Sequence, residues 1–288
     1  MSAQITRRTL LTGLAGGAAI ASLPGRAEAA PTPELWEHWS YSDPRTLARI
    51  DHSAFDRFLR RYLKTRPVTG GIDSLFHYSA VTGEDRAALD GYVAALSDEP
   101  ITQYPRSEQL AYWVNFYNAL VLQQVLKVYP VASIRDVDLS GAFFTGGPWA
   151  KRLVTVERRA LSLNDIEHRI LRPIWRDPRL HYVLNCAAMG CPHLVPEALD
   201  ARRLEDQLDA AATAFINHPR NLRMRFNGLR VSSIYVWYER DFGYGRRAVL
   251  DHLRRYATAS RADLLAELDD WASHDYDWRL NDYAPLQG

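Results

Sequence analysis

Apolar residues recur at Leu47, Ile50, Phe55, Phe58, Leu59 and Tyr62, a spacing that predicts an amphipathic helix over 47–62, broken by Pro67 to Gly71. A second helix is predicted over 84–96, ending before Pro100. The strongest helical pattern covers 107–128, with Ser107 as a cap and Pro130 beyond its end. Its core, EQLAYWVNFYNALVLQQVL, is apolar on most faces, which predicts a buried helix. Asn115 and Asn118 sit inside that run, three apart and on one face. A buried amide without partners costs about 1–3 kcal/mol, so each should be hydrogen-bonded. Two roles are open to them, tying down neighbouring loops or lining a site.

The rest of the pattern alternates short strands with helices. Residues 30–44 predict an extended arm, and 141–149 a glycine and aromatic loop without the GK[ST] ending of a phosphate loop. Residues 153–156 and 160–163 predict a hairpin. In 162–165, Ser162 and Asp165 can form a capping box, opening a helix that Pro173 should stop near Arg172. HYVLNC, 181–186, reads as a buried strand with Tyr182, Leu184 and Cys186 on one face. Leu204, Leu208, Ala211, Ala212 and Phe215 predict a helix; 222–226 and 229–234 predict a hairpin about Asn227-Gly228. Helices over 247–256 and 262–271 follow, and the distinctive tail 276–282 should be docked. Together these predict an α+β fold, a single helix-rich domain over 30–288 with a small antiparallel sheet.

The N-terminus has a different pattern. Arg7-Arg8 precedes a 14-residue apolar stretch, Leu10 to Leu23, and Ala27-Glu28-Ala29 has the form of a cleavage site. That stretch is too short to span a bilayer comfortably, and the arginine pair predicts a twin-arginine (Tat) export signal over 1–29. The expected product is periplasmic or secreted, with no integral membrane segment after cleavage. The 288 residues are 47% hydrophobic and 24% charged with a net charge of +1. This balance lacks the concentrated basic field that nucleic acid requires.

The candidate chemistry lies in 162–194, which holds both cysteines and His168, His181 and His193. Asn164, His168 and Arg172 share a helix face, whereas Glu167 is about 100° round from His168 and is a poor orienter for it. Asp241, Asp277 and Asn115 are the more distant candidates. On the strand pattern His181 faces away from Cys186. Four fates are open to Cys186 and Cys191. They are a disulfide, suited to an oxidising compartment; a nucleophilic thiolate with a histidine base; a metal site with His193 or His168, at a spacing unusual for zinc; and inert buried thiols.

The segments AYWVNFYNAL (111–120), SLNDIEHRILR (162–172), HYVLNCAAMGCPHL (181–194) and YDWRLND (276–282) occur in that order. Over about 108–282 the chain resembles the family called domain of unknown function 547. The resemblance implies a common fold without an established activity. It maps the family's motifs onto Asn115, Asn118, Glu167, His168 and Cys186. Gly190-Cys191-Pro192-His193 stands where bacterial members often have Ser-Cys-Pro-Pro. Distant members that lose the second cysteine imply that Cys186 is the functional thiol. With His before Cys, the order of elements also suggests, by analogy of fold alone, a permuted papain- or transglutaminase-like arrangement.

The leading expectation is an exported thiol-dependent hydrolase or acyltransferase acting on an amide or peptide-like bond of a small-molecule or peptide-like substrate. Cys186 would be the nucleophile, His168 the base, Glu167 a neighbouring site residue, and Asn115 or Asn118 an orienter or oxyanion donor. One alternative is a non-catalytic envelope or binding module with a structural Cys186–Cys191 disulfide. Another is a metal-binding protein using the Cys/His cluster. The sequence assigns no cofactor.

Overall fold

The computed structural model describes residues 30–137 and 148–283. The signal assigned to 1–29, and residues 141–147 of the glycine and aromatic loop, lie outside the described residues. Helix α1, Ser53–Tyr62, starts later than the apolar spacing predicts, because the Asp51 carboxylate accepts the Ser53 N–H at 2.8 Å and Leu47 is exposed. The chain then passes directly into an antiparallel hairpin, β1 Leu63–Val68 and β2 Gly71–Phe76, where the sequence suggested only a break. Gly70, at φ +83°, supplies the left-handed residue of its turn. Helix α2, Gly83–Asp98, is capped by Thr82, whose hydroxyl accepts the Asp85 N–H.

Helix α3, Arg106–Val128, is the core element, buried without interruption from Glu108 to Leu122. Helix α2 packs on it, as does the helix that follows hairpin β3 Val154–Val156 and β4 Arg159–Leu161. Its N-cap is Pro105 rather than Ser107, and no side chain caps it.

The capping box at Ser162 is present: its hydroxyl accepts the Asp165 N–H at 3.2 Å, and Asp165 accepts the Ser162 N–H at 2.9 Å. It opens a π-helix, Asp165–Leu171, that runs on without a break into α4, Arg172–Trp175. Pro173 therefore does not stop the helix. Proline lacks the N–H that the carbonyls behind it would have accepted. Here the extended arm takes them over, with Glu34 N donating to His168 O and Trp36 N to Arg169 O, each at 3.0 Å.

Residues 181–186 form no strand. A 3₁₀ turn over Pro178–Tyr182 leads into irregular backbone. The Asn118 amide replaces a neighbouring strand, donating to Val183 O and accepting the Asn185 N–H, both at 2.8 Å. The expected shared face is lost: Tyr182 joins a second apolar cluster, Leu184 the first.

The second cluster is built from α5 Leu204–Asn217, strands β5 Leu222–Arg225 and β6 Gly228–Ser232, short helices α6 Ile234–Trp237 and α7 Glu239–Phe242, then α8 Arg246–Tyr256 and α9 Ala259–Ala266. The β5–β6 turn is Phe226-Asn227, one residue earlier than predicted, with Arg225 opposite Gly228. Strand β7, Ser273–Asp275, adds to β6 in parallel, so this small sheet is mixed while the other two are antiparallel. The tail is docked as expected. Asn281 N donates to Ala187 O at 3.0 Å, Gly190 N to Asp277 O and Met189 N to Arg279 O at 2.8 Å, and Phe76 N to Asn281 O at 2.9 Å. The architecture is α+β. Among the described residues, no helix is long and apolar enough to cross a membrane.

Candidate functional site

Cys186 and Cys191 are bonded to each other, closing a loop against the docked tail. Cys186 is half-buried and Cys191 fully buried. The Tyr276 hydroxyl lies 3.0 Å from both sulfurs, and the Cys186 N–H donates to Cys191 Sγ at 3.0 Å. Burial pushes the Tyr276 phenol up, so it remains protonated. Bonded in this way, neither sulfur is a thiolate, whether for attack or for holding a metal.

His168 and Glu167 stand in a separate buried cluster. The side-chain atoms His168 Nδ1 and Glu167 Oε1 are 3.7 Å apart, closer than the α-helical spacing of their positions suggested. The phenols of Tyr238 and Tyr117 donate to Glu167 at 2.7 and 3.2 Å. Burial opposes the charge on Glu167; His168, His181, the Tyr238 hydroxyl and Arg172 outweigh it, and the carboxyl is lowered. Burial likewise lowers His168, with Arg172 and His181 adding to it against the opposing pull of Glu167. Arg172, one helical turn on, meets His168 Nδ1 at 3.0 Å. A guanidinium only donates, so Nδ1 accepts and the neutral ring carries its proton on Nε2.

Arg172 also grips Asp241 by a two-pronged bond, and His181 Nε2 meets the same carboxylate at 2.7 Å. Of the three distant orienters considered from sequence, Asp241 is the one joined to His168, and only through Arg172. Among the described residues, His168 makes no hydrogen bond to either sulfur. The structure thus brings Glu167 and His168 together, but joins neither to Cys186 by a direct bond.

Asn115 and Asn118 face different loops. Asn115 forms a two-way pair with the Leu199 backbone, donating to its carbonyl at 3.0 Å and accepting its N–H at 2.9 Å. Asn118 holds Val183 and Asn185 in the same manner. Both amides line a cleft of about 430 Å³ between α3, α5 and residues 182–199. The cleft is mostly apolar, with Phe55, Leu59, Val183 and Leu194 on one side and Ala210, Ala211 and Ala214 of α5 leaving room on the other.

Sequence reasoning missed Tyr276, Tyr238 and Tyr117, the hydroxyls that touch the sulfurs and Glu167. Tyr276 opened a recognised tail motif and Tyr117 lies within the aromatic helix motif. Nothing in the local pattern pointed to Tyr238.

Residues 101–216 match a family model described as "Protein of unknown function, DUF547". Over that stretch the chain is similar to the family its sequence motifs resemble. No curated protein matches it, and no solved structure does.

Proposed function

We propose that this protein is an exported, non-catalytic binding module whose cleft takes an amphipathic small molecule, with an apolar acyl or aromatic body and one polar end. The observation that carries this reading is the cleft of about 430 Å³ beside Asn115 and Asn118. Its volume lies in the range of small-ligand sites, and its lining joins apolar walls to polar side chains, Asn115, Asn118, Arg203 and Gln207 among them. In this reading the two amides shape the cleft by pinning its loops, and the Cys186–Cys191 bond closes the loop that the Met189 and Gly190 N–H groups hold against the tail. The twin-arginine segment supports an oxidising compartment in which that bond persists.

The test is titration with dansyl-labelled undecanoate, followed by fluorescence. One-to-one saturable binding by the wild type, lost in Ala214→Trp with an unchanged far-UV spectrum and melting temperature, is the expected result. Ala214 is exposed, so the indole fills the cleft without disturbing the core. Absence of saturable binding, or equal binding by A214W, overturns the reading.

The half-burial of Cys186 against the full burial of Cys191 favours a second reading. Reduction would free Cys186 as the nucleophile of a thiol hydrolase or acyltransferase, with the Glu167–His168 cluster nearby and a permuted papain-like order of elements. It requires that reduced protein be acylated at Cys186 by an activated ester such as p-nitrophenyl acetate, and that His168→Ala slow this without unfolding the protein. Mass spectrometry showing no acyl-enzyme after reduction excludes it.

A further inference from the structure

Asp73 on β2, His193 just past the disulfide loop, and His218 at the end of α5 meet at one point. We propose that Asp73 Oδ1, His193 Nε2 and His218 Nε2 form a binding site for a divalent transition metal of the zinc type, gated by the Arg220 guanidinium. One ligand atom from each lies within 4.8 Å of the other two. Zinc bonds of about 2.0–2.2 Å at tetrahedral angles set neighbouring ligand atoms roughly 3.3–3.6 Å apart. Two of the three edges already have that length, His193 to Asp73 at 3.6 Å and His218 to Asp73 at 3.5 Å.

The lone pairs of two ligands are already directed at a cation. Arg220 donates to Asp73 Oδ1 at 2.9 Å and to His193 Nε2 at 2.7 Å. Because guanidinium cannot accept, His193 must hold its proton on Nδ1, the tautomer that an Nε2-bound metal requires. The guanidinium therefore stands where the metal charge would sit.

His218 supplies the independent sign. Its side chain is only 7% exposed, and its Nε2 has no hydrogen-bond partner although it faces Asp73. Buried polar atoms in native folds are nearly always satisfied. A metal would satisfy this one. The ring would move its proton to Nδ1 and give up the contact of 3.2 Å that Nδ1 now accepts from the Arg220 backbone N–H. Gly71 is shaped to this ring, since a Cβ there would come within 2.8 Å of His218 Nε2.

Arg220 has somewhere to go. It also lines an open cleft of about 450 Å³ with Gly190, Tyr276, Asp277 and Trp278. Swung into that cleft, it would leave a coordination position facing solvent for water or a ligand. Two imidazoles and a carboxylate suit zinc, or cobalt(II) as its spectroscopic substitute.

The experiment is calorimetric titration of the chelator-treated mature chain with zinc chloride, with cobalt(II) absorption as a second readout. Thermal melts without metal establish that each variant is folded. Wild type should bind one equivalent, and His193→Gln should weaken binding about tenfold or more, the scale of losing a ligand or its support. Arg220→Ala removes the competing cation and should tighten binding, which a merely structural arginine would not do. The proposal is overturned if wild type and R220A both fail to bind zinc stoichiometrically, if H193Q binds like the wild type, or if R220A weakens binding.

Discussion

Arg172 Nε lies 2.6 Å from Asp241 Oδ2 and Nη2 lies 3.0 Å from Oδ1, a fork-on-fork pair between the start of α4 and α7. The same guanidinium donates to Pro31 O at 2.6 Å, and so clasps the extended arm as well. Its side chain is 4% exposed, so removing either partner strands a buried charge.

Arg172→Met should therefore cost about 3–5 kcal/mol, the usual penalty for breaking a buried pair from one side. Arg172→Lys should recover only part of this, because an ammonium cannot reproduce the two-pronged geometry or reach His168 and Pro31 together. Urea unfolding of both variants measures the difference. A cost in R172M no larger than that of an exposed ion pair would show that Asp241 is adequately held by His181 alone.

Stability should fall in two stages as pH is lowered. Burial holds His52 and His252 neutral, each lowered from 6.5 to about 4. In that window the unfolded chain binds more protons than the folded one, so stability is fully present above about pH 6.5 and declines toward pH 4. Burial alone would raise Asp241, but hydrogen bonds from His181 and Arg172 hold it at about 2. Its contribution is present above the unfolded carboxylate value of about 3.9 and is lost as pH falls through about 2. Urea midpoints at pH 7, 5 and 3 follow both stages. His252→Gln should shrink the pH 7 to 5 difference by about 1–2 kcal/mol.

Asn115→Leu is expected to destabilise by about 2–3 kcal/mol, since it leaves both the N–H and the carbonyl of Leu199 without their partner in a buried place. Hydrogen exchange should report faster loss of protection at Leu199 than at residues of α2. Unchanged protection there would mean that the loop at 194–199 is held by its apolar packing instead.

Gly190 is confined by the tail. A Cβ there would lie 2.9 Å from Asp277 N and from the Tyr276 ring. Gly190→Ala should cost about 1–3 kcal/mol, the range for overpacking, and should displace Tyr276 from the sulfurs. The readout is the midpoint of unfolding together with the rate at which the disulfide is reduced, which should rise.

Much of the fold was legible from the chain alone. The run from Leu110 to Leu126 is apolar on most faces, and such a helix is stable chiefly inside. The Ser162 capping box and the 153–163 hairpin are local devices, and both formed. So did the docked tail, whose composition marked it out. The false strand at 181–186 and the false stop at Pro173 have one cause. In each, a distant group supplied hydrogen bonds that local reasoning assigned to a neighbouring strand or counted as lost: the Asn118 amide in the first case, the Glu34 and Trp36 N–H groups in the second.

The candidate chemistry divides along the same line. Sequence determined which residues are chemically able, Cys186, His168, Glu167, Asn115 and Asn118 among them, and that His168 and Arg172 share a helical face. Tertiary structure decided what each one meets. It joined Cys186 to Cys191 under Tyr276, turned His168 toward Arg172 and Glu167, and gathered Asp73, His193 and His218 about Arg220. Helical and strand periods relate only residues a few positions apart. Asp73 and His218 are brought together by packing of β2 against the end of α5, and no local period encodes that.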